Sequence, residues 1–321
     1  MPEDYEVFAP FFDAVIQEYH GIENKNALHV NNWDLSTRRD QLVELGCEAD
    51  GGGGGGGLDL SKLGLEEISM RVRVGRNLSA FPLPGAMTQQ DRLDLEQEMI
   101  KAFTVLIADP NFGGQYYSLT PNIKESIDEE RYEELVREHV MFKDMSNDPY
   151  LNSAGISSSW PYGRGCYVSH DKQFMVWVGE EDHLRIMCME KGTLLNTVFN
   201  RLENAERVVE RQSGPFARSI KYGYVTSCPT NLGTGMRASV HVKLPNLTRD
   251  GSDAKAKAVC KPLGLSVRGL GGEHTAIGED GTVDISPSAR LMIEEVDIIC
   301  KLYQGISLLL EAERSAAKNE L

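Results

Sequence analysis

The sequence is most informative at residues 228–237, which read CPTNLGTGMR. A thiol, Cys228, precedes a turn-forming proline, and small polar residues and two glycines separate it from the guanidinium of Arg237. The next residues, 238–245, read ASVHVKLP and alternate as a strand does. A thiol and a fixed cation on either side of a tight turn indicate a functional site rather than part of a core.

The composition limits the classes of function open to this chain of 321 residues. Hydrophobic residues make up 41% of it, as in ordinary globular proteins, and no apolar run approaches the roughly 18 residues that span a bilayer. The formal net charge of −15 repels nucleic acids and anionic membranes. The acidic N-terminus lacks the basic region of a signal peptide. We therefore expect a soluble cytoplasmic protein with no nucleic-acid partner and no transmembrane segment.

The cysteines and histidines indicate neither a disulfide framework nor a metal site. Six cysteines are scattered along the chain without a CxxC pair, which fits a reducing compartment. Seven histidines show no spacing of the HExxH kind, so we predict no metal ligands in the protein itself. We expect every cysteine except Cys228 to be buried, because only Cys228 lies in a turn of this kind.

The N-terminal part of the chain differs from the rest in composition. Apolar residues between 5 and 19 recur at helical spacing, and Gly21 ends this predicted helix. Residues 51–57 are seven consecutive glycines, and without the Lys-Ser/Thr pair of a phosphate-binding loop they predict a flexible linker. We therefore assign residues 1–66 to an N-terminal helix and linker, and residues 67–321 to a structured domain.

Strand and helix patterns fill residues 67–321 without a regular βαβ rhythm. No strand is followed by GxGxxG, which disfavours a Rossmann fold. The sequence therefore predicts the α+β class, with a largely antiparallel β-sheet flanked by α-helices. Strands are predicted at 70–74, 174–178, 183–189, 238–244 and 264–268, helices at 88–108, 122–142, 193–211, 252–262 and 288–316, and a glycine-rich loop at 269–281.

Arginines beside the predicted strands and turns are candidates for a phosphate site. Arg71 and Arg73 are two apart on one strand, so their side chains share a face. A guanidinium suits phosphate because its planar fork donates two hydrogen bonds and stays charged. Each arginine taken singly fits an ordinary surface ion pair, and it is their joint placement that favours a phosphate site. The full set is Arg71, Arg73, Arg185, Arg237 and Arg268.

Four motifs resemble, in order and spacing, the signatures of the phosphagen (ATP:guanidino) kinases, which pass a phosphoryl group between ATP and a guanidinium compound such as arginine or creatine. Residues 69–76 (SMRVRVGR) resemble the first nucleotide motif, and residues 180–186 (EEDHLRI) resemble the central acidic motif. Residues 228–237 resemble the cysteine signature, and residues 268–275 (RGLGGEHT) resemble the loop that folds over bound substrates. The resemblance implies that residues 67–321 have the guanidino-kinase catalytic-domain fold.

The resemblance also implies roles for individual residues. In the family, arginines contact the phosphates of ATP or ADP, which bind with Mg²⁺, and carboxylates and a thiolate hold the guanidinium. On this chain the guanidinium would be held by Glu181, Cys228 and Glu273. Glu181 would also orient the attacking nitrogen and take up its proton. The nucleotide would be bound by Ser69, Arg71, Arg73, Arg185, Arg237, Ser239, His241, Arg268, Gly269 and Gly271.

Three functions remain open at this point. The family begins with a small helical domain, and this chain starts just after it, either because the domain was lost or because the chain is a fragment. The first function is an active kinase for ATP and a small guanidino substrate, and Thr230 and Glu273 resemble arginine or taurocyamine kinases more than creatine kinases. The second is a catalytically weak or inactive relative that serves as a structural or regulatory subunit of an oligomer or larger assembly. The third is a protein-arginine kinase.

Overall fold

The computed structural model describes residues 3–47, 57–270 and 276–318, which contain both strands and helices. Six of the seven glycines predicted as a linker, at 51–56, lie outside these described residues. The strands are β1 (Ile68–Arg76), β2 (Gly114–Ser118), β3 (Gly165–Ser169), β4 (Phe174–Val178), β5 (Leu184–Gly192), β6 (Arg218–Ser219), β7 (Gly223–Tyr224), β8 (Met236–Lys243), β9 (Leu265–Arg268) and β10 (Thr282–Pro287). The α-helices are α1 (Asp4–Val7), α2 (Ala9–His20), α3 (Arg39–Glu44), α4 (Gln89–Leu106), α5 (Glu129–Arg137), α6 (Pro149–Ser153), α7 (Leu195–Ser213), α8 (Ala254–Cys260) and α9 (Glu295–Lys318).

One sheet of eight strands organises the fold. Its strand order is β2-β3-β4-β5-β1-β8-β10-β9, and every neighbouring pair is antiparallel. β6 and β7 form a separate two-stranded ribbon. The predicted α+β class, with an antiparallel sheet flanked by helices, is confirmed.

The two faces of the large sheet differ in character. In β1, Met70, Val72 and Val74 point to one face and are buried in the main core, to which α4, α7 and α9 contribute. The residues between them point to the opposite face, because side chains alternate along a strand. Part of that second face is covered by a smaller apolar cluster, in which β3–β5 pack against residues 135–145. The rest of the second face carries the arginines of β1 and its neighbours.

The N-terminal helices pack against the segment that leads into the Cys228 turn. Tyr5 and Ile16 are buried in a third apolar cluster with Tyr222, Val225 and Leu232. The helix predicted over 5–19 is interrupted between α1 and α2, where a proline occupies the first turn of α2. As predicted, α2 ends at a glycine in the left-handed region, with φ of 63°.

Several predicted boundaries need correction. The helix predicted over 122–142 is confined to Glu129–Arg137, because Asp128 caps its start and His139 has a left-handed φ of 59°. The helix predicted over 288–316 begins only at Glu295, after Met292 with φ of 55°. The helix predicted over 252–262 is Ala254–Cys260, followed by a 3₁₀ turn at Lys261–Leu263. The sequence patterns did not predict the strands β2, β3, β6, β7 and β10.

Candidate active site

The arginines of the open sheet face lie side by side on neighbouring strands. β1 pairs with β8 so that Arg73 is opposite Arg237. Directly opposed residues of an antiparallel pair point to the same face, and Arg71 shares it as the residue two before Arg73. On the other side of β1, Gly75 is opposite Arg185 of β5, so Arg185 also points to this face.

The same register continues across β8, β10 and β9. Arg71 is opposite Ser239 of β8, and His241, two residues further on, is opposite Asp284 of β10. Asp284 is in turn opposite Arg268 at the end of β9. The five arginines predicted from the sequence therefore occupy one face of the sheet, in a band that we call the arginine band (Arg71, Arg73, Arg185, Arg237 and Arg268).

A cavity of about 310 Å³ opens on the arginine band. Four members of the band lie in its wall, together with Arg290, which the sequence patterns did not single out. Two larger depressions on the described surface contain none of the predicted site residues. The rest of the cavity wall consists of Tyr19, Val74, Gly75, Glu181, Asp182, Thr230, Asn231 and Gly235.

Arg71 and Arg73 form no direct contact of their guanidinium groups with an acidic side chain among the described residues. Neither guanidinium makes a hydrogen bond or an ion pair with another of the described residues, and both are only partly exposed. Burial lowers the pKa of Arg71, and it lowers the pKa of Arg73 strongly, where the positive charges of Arg185, Arg71 and Arg237 add to the effect. Cations crowded together in this way are stabilised by an anionic ligand.

Within the described part of the chain, Arg237 pairs with one carboxylate. Its Nη2 atom lies 2.6 Å from Oδ2 of Asp284, and both side chains are buried. The other carboxylate oxygen of Asp284 lies 3.8 Å from Nε2 of His241. Burial lowers the pKa of Arg237 to about 10, and Arg268, Arg71 and Arg290 add to this, while Asp284 opposes it. The band thus carries more positive charge than this carboxylate neutralises.

The acidic turn after β4 lies at one end of the arginine band. Arg185 pairs with Glu180 at 2.7 Å and with Glu181 at 3.5 Å. Burial raises the pKa of Glu181 to about 7, as do Asp182 and Glu180, whereas Arg185 and Arg73 act in the opposite direction. A carboxyl group with a pKa near neutrality can accept or release a proton at physiological pH.

Asp182 connects the acidic turn to the chain before Cys228. Its Oδ1 atom accepts hydrogen bonds of 2.7 Å from Nδ2 of Asn77 and from the backbone N–H of Ser227. Burial raises the pKa of Asp182. A Cβ atom on Gly75 would lie 2.6 Å from Oδ2 of Asp182, so the carboxylate approaches β1 more closely than a side chain there would allow.

Cys228 lies at the predicted turn and is half-buried, while the other five cysteines are buried as expected. Its Sγ atom is 3.0 Å from Oγ1 of Thr230, and its backbone carbonyl accepts a 2.8 Å hydrogen bond from the hydroxyl of Thr226. The carbonyl of Thr226 accepts a 3.0 Å hydrogen bond from the hydroxyl of Tyr5. These contacts hold both the sulfur atom of Cys228 and the backbone that carries it.

Two glycines allow the Cys228 turn to close against its surroundings. Gly233 and Gly235 have φ of 98° and 56°, which favours glycine. A Cβ on Gly233 would lie 2.4 Å from the carbonyl oxygen of Arg290, and that oxygen accepts hydrogen bonds from Thr234. This contact brings Arg290 to the cavity. The only local signal for it was an arginine in the short stretch SPSAR at 286–290, which lacks a periodic pattern.

The structure brings most of the predicted site residues together. Ser239 and His241 lie on the face of the arginine band. Ser69, two residues before Arg71 in β1, is also on this face but outside the cavity wall, and Gly269 follows directly after β9. Gly271 and Glu273 lie outside the described residues.

Neither a cluster of metal ligands nor a membrane-spanning helix occurs among the described residues. They contain no group of three or more histidine, cysteine or acidic side chains placed to hold a metal ion. Among the helices of these same ranges, none combines the length and the apolar character needed to span a membrane.

Comparison with known proteins identifies similar chains. The model of the family ATP:guanido phosphotransferase, C-terminal catalytic domain, matches residues 94–316. An arginine kinase of Anthopleura japonica is 37% identical over 98% of this chain, which spans 40% of that relative. A probable arginine kinase of Caenorhabditis elegans is 34% identical over 98% of this chain, which spans 72% of it.

A solved structure is similar over the same range. The substrate-free duplicated taurocyamine kinase from Schistosoma mansoni superposes with a TM-score of 0.79 at 34% identity, over 98% of this chain and 40% of that one. The chain thus spans less than half the length of some of its relatives. The extent of the family match, together with the arginine band and the Cys228 turn, shows that this chain belongs to the ATP:guanido phosphotransferase family.

Proposed function

We propose that this chain catalyses the reversible, in-line transfer of the γ-phosphoryl group of ATP to a small, arginine-like guanidino compound. One observation carries the proposal above the others: four of the five arginines of the band line one cavity with Glu181 and with Thr230 and Asn231 of the Cys228 turn. Phosphoryl transfer needs little covalent chemistry from a protein, but it needs aligned reactants and neutralised charge. The cavity provides arginine cations for the phosphates of ATP and the carboxylate of Glu181 for the guanidinium.

The nucleotide phosphates fit the arginine band. Arg71 and Arg73 form no ion pair or hydrogen bond with the other described residues, and Nε of buried Arg237 has no hydrogen-bond partner there. Buried donors of this kind favour an anion with several oxygen acceptors. In this proposal Arg71, Arg73, Arg185, Arg237 and Arg268 hold the phosphates, and Ser69, Ser239, His241, Gly269 and Gly271 lie beside the nucleotide.

The guanidino substrate fits the acidic end. A carboxylate can accept two N–H bonds from a guanidinium and so orient the nitrogen that attacks phosphorus. Glu181 performs this role in the proposal and takes up the proton that the nitrogen loses, because its pKa of about 7 suits proton transfer at neutral pH. Cys228, as a thiolate, and Glu273 hold the other nitrogen atoms of the guanidinium.

In this proposal Mg²⁺ binds only as part of its complex with the nucleotide. The described residues hold no carboxylate cluster that fits a resident metal ion. A magnesium ion is bound by substrate phosphates together with water in many kinases, where it neutralises phosphate charge. We assign the protein no ligand to it.

The division of the chain at residue 66 also belongs to the proposal. Residues 67–321 contribute the whole sheet and nearly all of the cavity wall. The N-terminal segment contributes Tyr19 to that wall and donates the Tyr5 hydrogen bond to Thr226. We therefore treat residues 67–321 as the catalytic domain and the N-terminal helices as its support.

A coupled ADP-release assay with arginine, taurocyamine and creatine tests the proposal. We expect turnover that requires both Mg²⁺-ATP and a guanidino compound. Cys228→Ser should lower kcat more than it weakens ATP binding, whereas Arg237→Met should remove nucleotide binding because the phosphates lose a central cation. Arg207→Met, an exposed position on α7, is the matched control and should leave both quantities unchanged.

The same measurements separate the other functions. Mg²⁺-ADP binding without turnover on any guanidino compound would contradict the proposal and support a structural or regulatory subunit. Phosphoarginine formed on a casein-like protein, and not on free arginine, would support a protein-arginine kinase. A fully active Cys228→Ser protein would remove the thiolate from the mechanism.

A further inference from the structure

Arg290 lies in the wall of the cavity and has no role in the function proposed so far. It follows β10, and its carbonyl oxygen accepts hydrogen bonds from the backbone N–H of Thr234 at 3.0 Å and from the Thr234 hydroxyl at 3.1 Å. Thr234 is fully buried in the Cys228 turn. The backbone of Arg290 is therefore fixed to the turn that connects Cys228 with Arg237.

The side chain of Arg290 has few protein partners. Within the described ranges its one hydrogen bond joins Nη1 to the carbonyl oxygen of Ser288 at 3.2 Å, and it forms no ion pair there. Its remaining N–H donors are not used by these residues. A partly buried guanidinium with unused donors in a cavity wall is suited to an anionic ligand, since a buried charge is costly without a partner.

The electrostatic surroundings of Arg290 include groups from both ends of the cavity. Burial lowers its pKa, and the charge of Arg268 in the arginine band lowers it further. Tyr19, Glu181 and Cys228 act in the opposite direction. Arg290 lines the same cavity as Arg268, on the proposed phosphate side, and as Glu181, on the proposed guanidinium side.

In-line transfer moves the phosphoryl group from one side to the other. We propose that Arg290 is a catalytic residue that contacts the transferring phosphoryl group itself and stabilises its charge in the transition state. This inference rests on the proposed function. It differs from the roles given to Arg71, Arg73 and Arg237, which bind the nucleotide in the ground state as well.

The chemical step balances without a further reactant. The guanidino nitrogen forms a bond to the γ-phosphorus as the bond from that phosphorus to the β–γ bridging oxygen breaks. The electron pair of the broken bond stays on ADP, and the proton from the nitrogen passes to Glu181. Arg290 forms no covalent bond and donates hydrogen bonds to the equatorial oxygens of the group in transfer.

Three variants test this role: Arg290→Met, Arg290→Lys and, as a control, Arg207→Met on exposed α7. Loss of a donor that acts in the transition state lowers kcat by about 10² to 10³, so we expect that loss for Arg290→Met. Its dissociation constant for Mg²⁺-ADP should stay close to that of the wild type. Arg290→Lys should give an intermediate kcat because it keeps the charge and loses the planar fork.

A binding experiment adds a readout that a purely structural role would not change. Nitrate is a planar anion with the shape of a metaphosphate-like group. It should tighten the combined binding of Mg²⁺-ADP and arginine to the wild-type protein and to Arg207→Met, and it should lose this effect in Arg290→Met. Calorimetric titration with and without nitrate measures the difference.

The outcomes separate the inference from the function on which it rests. Wild-type turnover with an unchanged kcat in Arg290→Met, or with an equal loss of kcat and Mg²⁺-ADP affinity, overturns the role of Arg290 and leaves the proposed function standing. No wild-type turnover with any guanidino compound overturns the proposed function. If Arg290→Met does not fold, as judged by circular dichroism, Arg290→Gln takes its place with the same expected results.

Discussion

The ionisation of Glu181 links a single residue to the pH dependence of the proposed reaction. Its pKa is raised to about 7 by burial and by two neighbouring carboxylates. Glu181 must be deprotonated when the reaction begins, because it accepts the proton of the guanidino nitrogen. Below its pKa it is protonated, so activity is expected to fall as the pH falls.

We therefore expect kcat/KM for the guanidino substrate, which reports the free enzyme, to fall below about pH 7. Binding of the cationic substrate lowers the pKa of Glu181, so the acidic limb of kcat should lie at lower pH. Glu180→Gln removes one of the charges that raise this pKa and should move the kcat/KM limb downward. Profiles of both proteins over the same pH range check this, and a limb that does not move in Glu180→Gln would contradict the assignment.

The roles of two residues, Asp284 and Arg290, could not be predicted from the sequence. The five arginines were predictable because each lies within a recognisable motif. The importance of Asp284 and Arg290 depends on contacts with residues far away in the chain: Asp284 with Arg237, and Arg290 with Thr234. A short stretch such as residues 282–290 carries no pattern that reveals a partner on another strand.

At the scale of elements, the close approach of β1 to Asp182 couples a strand to the Cys228 turn. Asp182 lies against Gly75, and it also accepts a hydrogen bond from the N–H of Ser227, the residue before Cys228. Gly75 donates its own N–H to the carbonyl of Gly235 at 3.0 Å, on the far side of the turn. A displacement of Asp182 would therefore displace Ser227 and, with it, the Cys228 turn that follows.

Gly75→Ala is expected to produce that displacement. Its Cβ would lie 2.6 Å from Oδ2 of Asp182, a distance that real Cβ atoms do not tolerate. Misplacement of reacting groups by about 1 Å costs roughly a hundredfold in rate, and we expect a loss of kcat of about that size. Gly192→Ala in β5 is the matched control, since its Cβ would meet nothing closer than 3.5 Å. Steady-state kinetics of the two variants measure the loss of kcat. An equal loss of kcat in both variants would exclude this mechanism.

The elements that sequence reasoning found are those with a strong local pattern. Apolar alternation predicted β1 and β8, and the helix predicted over 88–108 is α4, which has the capping box of Thr88 and Asp91 at its start. The strand β10 was missed because its buried Asp284 interrupts the apolar pattern, and only the pairing with Arg237 makes that burial favourable.

At the scale of the whole molecule, the N-terminal helices join the site to the rest of the fold. Ile16 of α2 is fully buried against the chain that leads into the Cys228 turn, whereas Val15 next to it is 43% exposed. Nε2 of His20, the last residue of α2, lies 3.0 Å from the carbonyl oxygen of Pro229 within that turn. Packing of this segment and geometry of the site are therefore connected.

Ile16→Ala should lower the free energy of unfolding by about 2 to 5 kcal/mol, the range for removing a fully buried isoleucine side chain. Val15→Ala, its neighbour on the exposed face, should change it by less than about 0.5 kcal/mol. Urea denaturation of both variants measures the difference. Equal stability of the two would show that the N-terminal helices do not pack on the sheet domain as described.

The cysteines of this chain have a practical consequence for chemical labelling. Five are buried and only Cys228 is half-buried, so a thiol-reactive dye should attach to one site in the native protein and to six after denaturation. In the proposed function this sulfur contacts the guanidinium, so a bound guanidino substrate should slow the attachment of the dye. The rate of labelling at this one site is therefore a readout of guanidino-substrate binding that needs no introduced or removed cysteine.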